Sequence, residues 1–392
     1  MNNSSNKINH FIEKYYWFLF TGLAVFAAML CFLRLDTGYV ASWDEARHGI
    51  SAYEMIQNKN YIVNTYNYDV DYWNLKPPFS FYGIMLGFGI FGYSVVGLRF
   101  YSALSYFLIC VLCSLYVKKH HGKWSSLLTI AFLCCNQLML ALHGARAGDA
   151  DALYQLFFTI AMLAMMEIPE KQSRSYICGV CFSLAFLTKS YHAGIILVIG
   201  GLYMIISGQI TKFKIKEWII FALSMALPTG MWMIARFTQD GLTFFMTMLT
   251  EDVLSRSSTA SEGHTGSALF YLERYFMDLG LIYWLLLLVI LAAGVYMISK
   301  KKNSIKQYTG YLLWLFVPLA AFSLVSTKLN WYNYPILVPL CMLAAIAVGK
   351  LLENQRVSSF TKNIVVIVTV VVVIFYGYRT FDEAVLSIHG DK

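Results

Sequence analysis

Charge is scarce in this chain. Only 13% of its 392 residues are Asp, Glu, Lys or Arg, 58% are hydrophobic, and the mean hydropathy is +0.57. Soluble domains carry about 25% charged residues, so a soluble globular fold of this length is excluded. Proline is rare too, at seven residues, and no low-complexity tract or internal repeat divides the chain. Nothing therefore marks a linker to a second soluble domain. No small-residue cleavage site follows the first apolar run, which reads as an uncleaved anchor. All eight cysteines fall inside apolar runs. The CxxC pairs Cys110/Cys113 and Cys178/Cys181 lack the aqueous, electropositive surroundings that activate thiolates, and read as small packing residues.

What the chain does have is apolar runs, eleven of them: 17–35, 100–117, 124–142, 152–166, 176–187, 193–207, 218–234, 279–298, 311–325, 334–348 and 364–376. A helix needs about 20 residues to cross a bilayer, and several runs reach that only with their polar flanks. The segment 79–93 is apolar but only about 15 residues long, which fits either a twelfth span or a helix lying in the interface. Cytoplasmic loops collect Lys and Arg. With 79–93 in the interface, 17 of the 30 cations fall on one side with only five acids, a net charge of +12, against −4 opposite. The expected topology has eleven spans, the N-terminus inside and the C-terminus outside. The formal net charge of +8 is then an orientation signal spread over short turns, not the single basic face of a nucleic-acid-binding protein.

Two long extracytoplasmic loops, 36–78 and 235–278, are of a length that usually carries function. In the first, Asp44-Glu45 with Arg47 heads an expected amphipathic helix running to about Gln57, with Ser42 as its cap. One of these carboxylates could act as a general base; the competing reading is helix-terminal acids paired locally with Arg47. Pro77 and Pro78 fix the backbone behind Lys76, which suits a point charge on a phosphate or a snorkelling lysine. Arg146 to Asp151 places one cation and two acids around Gly148, and Asp149 or Asp151 would also serve as an N-cap. Lys189 and His192 break a long apolar stretch. Glu251, Asp252, Arg256, Glu262 and His264 occupy the second loop without standard metal-ligand spacing. Lys328 and Tyr332 fall between two late spans, where phosphate contact competes with an interfacial Lys/Tyr belt.

Taken in order, these segments resemble the polytopic GT-C glycosyltransferases that use polyprenyl-phosphate sugars. The similarity is greatest to the bacterial aminoarabinose–lipid A transferases, with protein O-mannosyltransferases more distant. It rests on Asp44-Glu45-Ala46-Arg47, Lys76-Pro77, Arg146 to Asp151, Leu187-Thr188-Lys189, Glu262-Gly263-His264, and Lys328-Leu329 with Tyr332 and Pro335. The resemblance implies that Asp44 is the catalytic loop carboxylate and Asp151, or its neighbour Asp149, a second essential acid. It further implies phosphate contacts from Lys76 and Lys328, with Tyr332 beside them and Lys189 at a span end. Relatives often carry an acid where this chain has Leu75. The longer aminoarabinose transferases also carry a C-terminal periplasmic domain that is not expected here.

The expected fold is thus all-α and polytopic, a single GT-C-type transmembrane domain. Asp44 and Asp151 are the expected catalytic residues; Glu45, Arg47, Lys76, Arg146, Asp149, Lys189, His264, Lys328 and Tyr332 are expected to bind substrate. The expected reaction moves a sugar, with inversion, from a polyprenyl (undecaprenyl-type) monophosphate to an extracytoplasmic lipid, glycan or protein acceptor, and lipid A modification is among the activities the resemblance implies. No cofactor is required, and a divalent metal is allowed but not indicated. The expected location is the bacterial inner membrane. Alternatives are a protein O-glycosyltransferase of the same fold and a flippase for lipid-linked sugars; polar groups of transporters gather at the midplane, whereas here they gather at one interface.

Overall fold

A computed structural model describes residues 3–140, 143–255, 264–279 and 302–387. Helix dominates, and the reason is compositional: apolar segments in lipid must satisfy every backbone group internally. The helices are α1 (Asn3–Phe32), α2 (Glu45–Gln57), α3 (Phe79–Phe91), α4 (Val95–His121), α5 (Lys123–Cys134), α6 (Ala150–Met166), α7 (Arg174–Lys189), α8 (Gly194–Ile206), α9 (Ile215–Asp240), α10 (Thr243–Met248), α11 (Phe270–Leu279), α12 (Lys302–Leu324), α13 (Leu337–Glu353) and α14 (Ser359–Phe381). Among the described residues, six helical stretches are long and apolar enough to cross a membrane, and four shorter helices are also apolar. The chain is an integral membrane protein. The expected eighth span, 279–298, lies almost wholly outside the described residues, as do Arg256 and Glu262.

Helix ends follow the local chemistry. Ser94 caps α4 by accepting from Gly97 N at 3.1 Å, while Lys118, Lys119, His120 and His121 fill its last turn, where cations suit the helix dipole. Gly122, at φ +95°, then turns the chain into α5. At the other side of the bundle, α7 ends on Lys189, where the sequence suggested a break, and Ser190 takes φ +47° before α8 begins. The α13 helix sits at the centre, with 78% of its apolar window buried, whereas only 6% and 11% of the windows of α9 and α14 are buried. Their exposed faces carry Ile219, Leu223, Met231, Ile367, Val371 and Ile374, as a lipid-facing surface requires.

The first loop folds on itself. Two-residue strands β1 (Thr65–Tyr66) and β2 (Asp69–Val70) pair antiparallel across Asn67-Tyr68. Both turn residues have positive φ, 56° and 62°, as a tight hairpin turn demands. The α2 helix begins one residue later than expected, with Asp44 rather than Ser42 at the N-cap, and Asp44 makes no capping hydrogen bond from its side chain. Its Ile50 and Tyr53 face outward, but the buried face is polar as well as apolar: Glu45, His48, Ser51 and Glu54 turn inward beside Ala52 and Met55. Thirteen-residue α3 is about 20 Å long at 1.5 Å per residue, shorter than a hydrocarbon core of about 30 Å. It packs against α2 and α4.

Candidate active site

Glu45 and Arg99 are the frame of the site. Arg99 Nε donates to Glu45 Oε1 at 2.6 Å and its Nη2 to Oε2 at 3.0 Å, with both side chains buried. The same guanidinium donates to the carbonyls of Leu35, Thr37 and Tyr39, and Glu45 also accepts from Ala41 N and Gly148 N. One ion pair therefore ties the first loop, α4 and the turn before α6 together. Gly148 must be glycine here, since a Cβ would stand 2.6 Å from Leu98.

On this frame, Asp44 projects into solvent-accessible space with its side chain 36% exposed. It lines a cavity of about 510 Å³ with Lys76, Asp149, Asp151, Lys189, His192, His264, Trp331 and Tyr332, and Trp43 and Trp73 flank its mouth with ring centres 5.9 Å apart. Residues separated by nearly three hundred positions thus share one chamber. Asp151, in the first turn of α6, accepts from Lys189 Nζ, and that ammonium lies 5.4 Å from the Tyr332 ring centre. Asp149 caps α6 through Ala150 N, accepts from His143 Nδ1, and lies 4.0 Å from Lys76 Nζ. Burial raises the Asp149 pKa, but Lys76 and His143 outweigh it and hold the group well below the ordinary carboxylate range.

Two histidines in the site went unremarked in the sequence. His143 has one ring nitrogen on Asp149 and the other 3.6 Å from Asp44, with its ring stacked 3.6 Å from that of Trp331. Burial works against its charge, yet Asp149 and the other acids push its pKa above the usual imidazole value. His48 is the opposite case: burial, then Lys76, lower it to about 4, and it stays neutral beside Asp149. The signal available in the sequence was only a histidine at the end of an apolar run. His143 reaches both acids because its backbone is left-handed, at φ +59°.

Other expected site residues stand elsewhere. Arg47 pairs bidentately with Asp71 at 2.8–2.9 Å, not with the adjacent acids, and lies between the rings of Tyr66 and Trp73. Arg146 donates to the carbonyls of Leu30, Leu33 and Arg34 at the end of α1. The Lys328 ammonium donates to the carbonyls of Phe322 and Ser323 at the end of α12, and its side chain does not line the cavity. Among the described residues, His143, Asp149 and Asp151 have the spacing to hold a metal ion, their ligand atoms lying within 4.8 Å of one another. A divalent ion would compete with Lys189 and Lys76 for the same carboxylates.

The family described as dolichyl-phosphate-mannose-protein mannosyltransferase matches residues 75–232. That stretch carries Lys76, both aspartates and Lys189. The architecture superimposes on the crystal structure of ArnT from Cupriavidus metallidurans bound to undecaprenyl phosphate, with a TM-score of 0.71 over 90% of this chain and 63% of that one, at 18% identity. The fold is GT-C. The GT-C architecture is shared also with the Archaeoglobus fulgidus oligosaccharyltransferase, at a TM-score of 0.63, 13% identity and coverage of 97% and 57%. By sequence, the undecaprenyl phosphate-alpha-4-amino-4-deoxy-L-arabinose arabinosyl transferase of Yersinia pestis (strain Pestoides F) is 25% identical over 359 residues, which is 87% of this chain. The chain spans 61% of the length of that relative.

Proposed function

We propose that this protein is a membrane glycosyltransferase that moves a sugar from a polyprenyl monophosphate to an extracytoplasmic acceptor with inversion. The observation that carries the reading is the charge arrangement of one cavity, where, among the described residues, Asp44 pairs with no lysine while Lys76 and Lys189 sit deeper beside Asp149 and Asp151. In the reaction, the lysines attract the phosphate, and Asp44 takes the proton from the acceptor as its oxygen attacks the anomeric carbon from the opposite side. His143 and Asp149 would hold Asp44 in position. The names of the similar proteins, which specify polyprenyl-linked donors, support the same chemistry. Purified protein in lipid should release undecaprenyl phosphate from a sugar-charged carrier when acceptor is supplied. Protein that binds the carrier but never releases the phosphate from the sugar would leave transport as the better reading.

The donor contact divides the lysines. Lys76→Ala should weaken binding of undecaprenyl phosphate about tenfold to a hundredfold, the range of a hydrogen bond to a charged group. Lys328→Ala should leave that affinity within about twofold and instead lower the thermal midpoint, because its ammonium caps the carbonyl end of α12. Titrating both variants with the same lipid decides the matter, and equal losses of affinity would return Lys328 to the phosphate.

We place the cavity on the extracytoplasmic face of a bacterial inner membrane, with the N-terminus in the cytoplasm, on the loop charges. The native cysteines among the described residues are buried, so a single added cysteine can be read against the native background. Lys119→Cys and Tyr39→Cys, both at exposed positions, should react with an impermeant thiol reagent from opposite faces of sealed vesicles. Reaction of both from one face would refute this topology.

A further inference from the structure

A second cavity, of about 370 Å³, backs onto the first. Its walls are the start of the first loop, residues from 137–140 and 143–149, and the C-terminal end of α14 continuing to Ser387. The two chambers meet at Asp44 and Asp149, which line both. An acceptor arriving through the second chamber would therefore reach the same carboxylate as a donor seated in the first.

The chemistry of the two spaces differs. The first offers the ammonium groups of Lys76 and Lys189. The basic groups beside the second are Arg99, Arg146 and His143, and each is directed at protein: Arg99 at Glu45 and three carbonyls, Arg146 at the carbonyls ending α1, and His143 at Asp149 and Asp44. Burial and neighbouring Arg99 even lower the Arg146 pKa to about 10. The remaining polar lining combines four carboxylates, Asp44, Glu45, Asp149 and Glu383, with the Gln137 amide and the hydroxyls of Thr37, Tyr39, Thr380 and Ser387, of which Thr37 donates to the Arg34 carbonyl and Ser387 to Asp382 while keeping their lone pairs. Such a surface exchanges hydrogen bonds with a polyol and repels an anion.

Accepting the first cavity as the donor site, we propose that the second chamber seats the acceptor, and that this acceptor is an uncharged saccharide, not a phosphorylated or acidic glycolipid. One hydroxyl oxygen of it forms the new bond to the anomeric carbon and passes its proton to Asp44. The bond from that carbon to the carrier's phosphate oxygen breaks, and its electron pair leaves on the phosphate.

The test places a cysteine at Ser387 on one wall, and separately at Thr37 on the other, in the otherwise native full chain in lipid. Modification by a methanethiosulfonate reagent is timed with octyl maltoside present, and again with its phosphorylated counterpart. The neutral glycoside should slow modification at both positions at least threefold, and the phosphorylated one should slow it less than 1.5-fold. Equal or greater protection by the phosphorylated compound, or protection by neither, overturns the proposal. Binding of undecaprenyl phosphate by the same modified protein should be unchanged, and its loss would mean that the donor occupies this chamber. If the unmodified protein fails to bind undecaprenyl phosphate, it is the reading of the first cavity that falls.

Discussion

Asp44→Asn is expected to bind donor normally, keep its thermal midpoint, and lose turnover by about 10²–10⁴-fold, the range for removal of a general base. The structure separates this from the competing explanation. A helix-capping aspartate would accept a hydrogen bond from the first turn of α2, and Asp44 makes none from its side chain. Its carboxylate instead faces His143, with Nε2 3.6 Å away. The amide keeps the shape and removes the proton acceptor, so binding and melting serve as internal controls. Turnover of Asp44→Asn within a few-fold of the native protein would remove the residue from the chemistry and transfer the role of base to His143 or Asp149.

Glu45→Gln, one position along, is expected to fail differently. Its carboxylate is 3% exposed and takes two bonds from Arg99 and two from backbone amides. Breaking a buried ion pair while leaving its partner charged costs about 3–5 kcal/mol, so the variant should melt many degrees lower and accumulate poorly. Arg99→Met should do the same. The double variant Glu45→Gln/Arg99→Met should recover part of the loss, because no unpaired charge then remains buried. Thermal melting of all three in one lipid composition checks this. A Glu45→Gln protein that melts normally but turns over poorly would move Glu45 from the frame to the substrate.

Most of the chamber was legible in the sequence as polar residues at the ends of apolar runs. Asp44, Lys76, Asp149, Asp151, Lys189, His264 and Tyr332, which the sequence places in the polar segments between apolar runs, come together in one cavity. Directions of long side chains were not legible. Lys328 has the right position, but the carbonyls closing α12 lie five and six residues back and capture its ammonium. Arg47 faced a similar choice, and Asp71, 24 residues away, wins with a bidentate geometry that the neighbouring acids cannot offer. The Glu45–Arg99 pair spans 54 residues, and nothing local in either segment announces it. His143 was hidden by its setting, since a left-handed backbone and an acid six positions on are tertiary facts.

On the proposed function, the contrast between Asp44 and Glu45 also bears on how the site can diversify. Glu45, Arg99 and Gly148 tie the loop to the bundle from its inner side, whereas Trp43 and Trp73 are exposed and line the cavity. The outward positions can drift toward another sugar without loosening the scaffold, while the inward ones accept almost no change. On the proposed function, a library confined to Trp43 and Trp73 would explore specificity at little cost in folded protein, while Glu45, one residue from the proposed base, is held by Arg99 and Gly148.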